Sequence, residues 1–188
     1  MSLMLRNSKH SRRVFLRHAA KLLVGGAALP FGQRALASIP NSRSLAFKHT
    51  HTGEQLALVY AVDDQYVPAS LTAFNHVLRD HYAGTIGNID PQLFDLLHRV
   101  QLELGCVAPF EVISGYRCPA TNANLRQTRG GGVAKRSLHM EGKAIDVRLP
   151  GVDLANLRDA ALALGVGGVG YYRREQFVHL DTGRPRSW

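Results

Sequence analysis

Two short stretches of the chain hold side chains able to bind a metal. The first, Ser137 to Asp146, contains His139 and Asp146 with Gly142 and Ala144 between them. The second, Phe177 to Asp181, contains His179 and Asp181. Two imidazoles and a carboxylate suit a catalytic zinc: three protein ligands leave a fourth position open to water, whereas a structural site closes all four. One Zn2+ per chain is expected, held by His139, Asp146 and His179. Each of the three has a plainer reading when taken alone. A lone histidine on a strand is more often a satisfied surface or core residue, and Asp146 can pair with Arg148 or Arg174.

The spacing says which elements must carry them. His139 and Asp146 are seven apart with a glycine between, which fits a loop feeding a strand rather than a helix face. From Ala144 the residues alternate. Ile145, Val147 and Leu149 point one way, and Ala144, Asp146 and Arg148 the other. Around His179, Val178 and Leu180 face one side, and Phe177, His179 and Asp181 the other. Two adjacent half-buried strands would then bring Asp146 and His179 together on a polar face, with His139 arriving from the loop.

The remaining elements read as a scaffold. Arg43 to Val62 predicts a hairpin turning at Thr50–Glu54, with His49 and His51 on its surface. Pro68 to Tyr82 predicts a helix with Leu71, Phe74, Leu78 and Tyr82 on one apolar face. A second helix starts at the N-cap Asp90 with Pro91 in its first turn, buries Leu93, Leu96, Leu97, Val100 and Leu104, and stops at Gly105. Phe110–Ser114 predicts a strand, Ala120–Thr128 a short helix and Asp153–Leu164 a third long one. The fold class is α+β, helices against a small, mainly antiparallel sheet that carries the site on its open face. No chemistry is assigned to His76, His81 or His98.

The motifs together resemble a known family. Ser-x-His-x-x-x-Gly-x-Ala-x-Asp, followed by a later histidine on a strand, is similar to the zinc D-alanyl-D-alanine peptidases, whose fold is shared with the hedgehog signalling domain. The nearer resemblance is to the murein endopeptidase K-like zinc peptidases. It rests on Ser114-Gly-Tyr-Arg117, Gly132-Val-Ala-Lys135, the His139 block, Gly167-Gly-Val-Gly-Tyr-Tyr172 and Val178-His-Leu-Asp-Thr-Gly183. It spans about Ser44 to Trp188. The resemblance implies the hedgehog/D-Ala-D-Ala-peptidase fold and hydrolysis of peptidoglycan cross-links at D-Ala–diaminopimelate or diaminopimelate–diaminopimelate bonds. It also implies that Arg117 faces substrate. A D,D-carboxypeptidase or dipeptidase acting on stem peptides, or a non-catalytic zinc-containing murein-binding module, stays open beside it.

Amide hydrolysis needs a group to take a proton and pass it to the leaving amine. Many members of the wider superfamily carry Glu or Asp three residues before the last histidine. Here that slot is Gln176, which cannot act as a base. The candidates left are Asp181, first choice as base or as orienter of a ligand, and Glu175, one position off the slot. Lys135 and Arg136 add positive charge beside the site that suits an acidic peptide stem. The glycine run at 130–132 lacks the Gly-Lys-Ser/Thr ending of a phosphate loop. Cys106 and Cys118 are too few for a disulfide framework but can pair in an oxidising compartment. Nothing around Cys118-Pro119 would activate a thiol nucleophile.

Residues 1–37 are expected to be a twin-arginine signal peptide and 38–188 the zinc peptidase domain. Arg12-Arg13, a short apolar run over Ala19–Leu29 and Ala35-Leu-Ala37 come in the order of such a leader. The apolar run is far short of the roughly 20 residues that span a bilayer. The expected partners are the twin-arginine export machinery for the precursor and peptidoglycan in the periplasm, with no stable membrane anchor after cleavage. The chain's formal charge of +9 comes from 23 basic and 14 acidic residues. Seven of the basic residues and no acidic one lie before Ser38, so the remainder carries 16 against 14, a net of +2. A basic face for nucleic acid is therefore not expected.

Overall fold

The computed structural model describes residues 39–128 and 132–188. The expected signal peptide and part of the glycine run lie outside them. In chain order the described elements are β1 (Ser42–His49), β2 (Gln55–Val62), β3 (Gln65–Tyr66), α1 (Pro68–Val77), α2 (Pro91–Leu104), β4 (Phe110–Ser114) and α3 (Pro119–Thr128). A 3-10 turn (Leu138–Glu141), β5 (Ala144–Arg148), α4 (Leu154–Ala163), β6 (Gly168–Tyr172), β7 (Phe177–Asp181) and β8 (Arg186–Ser187) follow. The fold is α+β. The strands form one sheet of eight in the order β3-β2-β1-β4-β5-β7-β6-β8, larger than expected. It is mainly antiparallel, with parallel pairs at β1/β4 and β6/β8.

The core lies between one face of this sheet and the helices. Ile145 and Val147 of β5 and Val178 and Leu180 of β7 join Phe74, Leu93, Phe94, Leu97 and Leu157 in a single buried cluster. Phe47 contributes from β1, its ring 5.0 Å from Phe74 in edge contact. This face follows the alternation read from the sequence. The opposite face is covered as well: every residue of β7 is buried, and so is β5 up to Arg148. The expected open polar face is partly covered by the chain's own loops and last residues, which leave a cavity over His139, Asp146 and His179.

Helix α2 has the predicted caps. Asp90 accepts a hydrogen bond from Gln92 N, Pro91 begins the helix, and Gly105 ends it at φ 57°. Helix α1 is shorter than its periodicity suggested, ending at Val77 with Leu78 as C-cap. The cause is Asp80, whose carboxylate accepts from the backbone N–H of Tyr82, Ala83 and Cys118 and folds the chain into a turn. Tyr82 is left exposed instead of on the apolar face. Gly142 closes the 3-10 turn at φ 67°, and any Cβ there would collide with the carbonyl of Asn88, so the route from His139 to β5 requires glycine.

His49 departs from its expected place on the surface and is fully buried at the end of β1. Its Nδ1 accepts from His51 N, while its Nε2 and that of His81 are buried without a hydrogen-bond partner. Burial, with His51 beside them, lowers both His49 and His81 to about 4; Glu54 opposes this at His49 and Asp80 at His81. Folding therefore favours the neutral rings. The stability tied to them is whole above the unfolded value of 6.5 and is lost as pH falls towards 4. Wild type should lose more melting temperature between pH 7 and 4.5 than His49→Gln does. Equal losses in thermal melts would remove the buried histidine as the cause.

Candidate metal centre

Strands β5 and β7 pair in the register that sets Asp146 opposite His179. Opposed residues on antiparallel neighbours project to the same face. The 3-10 turn brings His139 to this face, anchored by Arg117 N donating to His139 O and Lys143 N to Leu138 O. All three side chains are buried, and they form a group able to hold a metal ion. His139 Nε2 lies 3.3 Å from His179 Nδ1 and 3.3 Å from Asp146 Oδ1, and His179 Nδ1 lies 2.8 Å from Asp146 Oδ1. Zinc bonds of roughly 2.0–2.1 Å at tetrahedral angles imply donor separations of about 3.3–3.4 Å.

The protons complete the fit. His139 Nδ1 faces the carbonyl of Gly115 at 2.7 Å, and His179 Nε2 faces Asp181 Oδ2 at 3.0 Å. Both oxygens can only accept, so each ring donates from its rear nitrogen. In the neutral rings the two front nitrogens then carry lone pairs, and these converge with Asp146 Oδ1. Such a set of donors calls for a cation. Burial disfavours charge on both partners of the Asp146–His179 pair, but their contacts prevail. His139 and His179 hold Asp146 far below the usual carboxylate range, while hydrogen bonds to Asp146 and Asp181 raise His179 to about 9.

Asp181 stands behind this group. It is fully buried. Its Oδ2 accepts from His179 Nε2 and from Arg186 Nη2 at 2.7 Å. Its Oδ1 accepts from Gly168 N, Gly183 N and Arg186 Nη1. These contacts, His179 and Arg186 foremost, keep it ionised against the burial that would raise it. The carboxylate lies across the His179 ring from Asp146 with both oxygens engaged in hydrogen bonds, a geometry that favours the orienting role over that of a base. It can orient the ligand. Glu175 is exposed in the turn between β6 and β7 and is not among the residues that line the cavity at the metal centre. Among the described residues that line this cavity, Asp146 has the sole acidic side chain.

Arg117 does reach the centre. Its Nη2 lies 3.8 Å from Asp146 Oδ2 and 3.3 Å from Ser114 Oγ, and its Nη1 lies 3.4 Å from Asn122 Oδ1. Ser114 pairs with Asp146 across β4 and β5, so one register places both the ligand and the serine that steadies the arginine. Cys106 and Cys118 are free thiols.

Sequence reasoning missed three neighbours: Tyr172, Arg186 and Trp188. The Trp188 indole lies 5.3 Å from the His179 ring and donates through Nε1 to the Tyr172 hydroxyl at 2.8 Å. It occupies the space over Gly170, the residue paired with His179, where a Cβ would come within 2.7 Å of the indole. The signal in the sequence was Gly168-Val-Gly170, two glycines on one face of a strand, which marks a close approach.

The family described as peptidoglycan L,D-endopeptidase MepK matches residues 37–188. The chain is 45% identical over 165 residues to the peptidoglycan L,D-endopeptidase MepK of Escherichia coli K12, covering 88% of this chain and 90% of that protein. It is 39% identical over 168 residues to the probable peptidoglycan L,D-endopeptidase MepK of Haemophilus influenzae, covering 89% and 90%. Among solved structures, the L-Ala D-Glu endopeptidase ChiX of Serratia marcescens aligns with a TM-score of 0.35 at 21% identity, over 50% of this chain and 80% of that one.

Proposed function

We infer the activity from one premise: the chain belongs to the family of the peptidoglycan L,D-endopeptidase MepK. It is a peptidoglycan endopeptidase. The finer reading is a zinc metallopeptidase that works in the periplasm and opens peptide cross-links during cell-wall remodelling. The bonds it cuts are D-Ala–diaminopimelate or diaminopimelate–diaminopimelate bonds. The observation that carries this reading is the convergence of His139 Nε2, Asp146 Oδ1 and His179 Nδ1, each with a lone pair free.

His139, Asp146 and His179 would hold the zinc, which would supply a Lewis acid for a carbonyl and a water of lowered pKa, about 7. The protein's own groups do the rest. Gly115 O and Asp181 fix the two imidazoles in the ligating tautomer. Arg186 holds Asp181 in place. Arg117, beside Asp146, presents positive charge where a peptide carbonyl or carboxylate arrives. No proton transfer is assigned to Asp181 or Glu175. Export rests on Arg12-Arg13 and Ala35-Leu-Ala37, which lie outside the described residues.

One preparation tests the whole reading. Full-length chain expressed in cells is expected in processed form in the envelope fraction. Purified from there, it should convert cross-linked muropeptides to monomers on chromatography, lose this on chelation and regain it with zinc. Release of a terminal amino acid alone would make it a carboxypeptidase, and binding without products would make it a murein-binding module.

A further inference from the structure

Three arginines line the cavity at the metal centre, Arg117, Arg136 and Arg186. Two are already engaged with carboxylates of the protein. Arg186 grips Asp181 through both terminal nitrogens. Arg117 lies against Asp146 and is steadied by Ser114 and Asn122. Arg136 differs. It is exposed, three residues before the buried His139, and it makes no hydrogen bond or ion pair with any described residue. Lys135 beside it is exposed too.

Among the described residues, the cavity lining offers Arg136 no free acidic side chain. Its sole acidic side chain among the described residues is that of Asp146, which is directed to the metal position and to Arg117. A guanidinium keeps its charge at every physiological pH and presents parallel N–H donors that match a carboxylate's two oxygens. An anionic ligand entering the cavity would therefore find one cation whose donors are uncommitted among the described residues.

We propose that Arg136 is a specificity-determining residue that binds a free carboxylate of the cross-linked peptide next to the scissile bond, so that the enzyme prefers stems with free carboxylates to amidated ones. The proposal rests on the peptidase reading above and names the chemistry that the same cavity selects. The carboxamide of an amidated stem has the same shape but no charge. It also turns an N–H group towards the N–H donors of Arg136, so it loses the charge-assisted pair and gains a poor contact.

The test uses one cross-linked muropeptide in two forms, with the diaminopimelate carboxylate free or amidated. Turnover and binding by calorimetry are measured for wild type, Arg136→Gln and Arg136→Lys. Wild type should favour the free form by a few-fold, up to about 5-fold, in kcat/KM, the scale of one solvent-exposed charge pair. Arg136→Gln should bring that ratio close to one, most of the change lying in KM, and Arg136→Lys should fall between, keeping the charge but not the fork. The position is exposed, and thermal melts check that both variants fold. A ratio the same in Arg136→Gln as in wild type, or no preference in wild type, overturns the role of Arg136 and leaves the peptidase reading standing. A wild type that binds the free form better, loses this with Arg136→Gln, and cuts neither form supports the carboxylate site and overturns the peptidase reading.

Discussion

Replacing His139 with alanine is expected to end hydrolysis of cross-linked muropeptides, with a loss of ~10³-fold or more. A Lewis acid contributes several kcal/mol of transition-state stabilisation, and each tenfold in rate is about 1.4 kcal/mol. The variant leaves Asp146 and His179 facing one another without the third donor. Their 2.8 Å contact then favours a shared proton, because Asp146 and Asp181 together raise His179 to about 9. A proton on Nδ1 occupies the lone pair the metal needs, so the site loses a donor and gains a competitor. The variant also strips the carbonyl of Gly115 of its buried partner, so His139→Gln belongs beside it as a control for folding. Elemental analysis should find about one zinc per chain in wild type and almost none in His139→Ala. A metal-free His139→Ala that cuts at the wild-type rate would sink the metal centre altogether.

The part of this site that could be read from sequence is the part written in local periodicity. Strict alternation from Ala144 and around His179 put Asp146 and His179 on one face of two strands, and the observed register sets them opposite. Asp90-Pro91 and Gly105 bounded α2 because caps are local chemistry. What lay hidden depended on contacts between distant or irregular segments. The burial of β7 on both faces comes from Arg186, Trp188 and the 3-10 turn, and the two-residue β8 has no period to detect. Asp181 looked like a free carboxylate beside a ligand. Its saturation comes from Gly168 in another strand and from Arg186 beyond a turn. The early end of α1 has the same origin, a side chain of Asp80 that reaches Cys118 N thirty-eight positions away.

Asp181→Asn is expected to act through the metal rather than through proton transfer. An aspartate at this point accepts five hydrogen bonds, from His179, Gly168, Gly183 and twice from Arg186. An asparagine accepts at one end only. Its amide N–H groups must face either the His179 Nε2–H and Arg186 Nη2, or the backbone N–H groups of Gly168 and Gly183. Each choice sets donor against donor in a buried place. His179 is then freed to carry its proton on Nδ1, the nitrogen that must ligate. Loss of such an orienting carboxylate costs about 10–100-fold in metal affinity or activity. The two possible roles of Asp181 separate in one titration. If it orients His179, Asp181→Asn is metal-poor as purified, and added zinc restores a large part of its turnover. If it were the base, the variant would hold its zinc and stay slow by about 10²-fold or more at any zinc concentration. Melting curves taken with the zinc titration control for the lost Asp181–Arg186 pair. A zinc-replete, folded Asp181→Asn that remains slow would return the proton to Asp181, despite its five bonds.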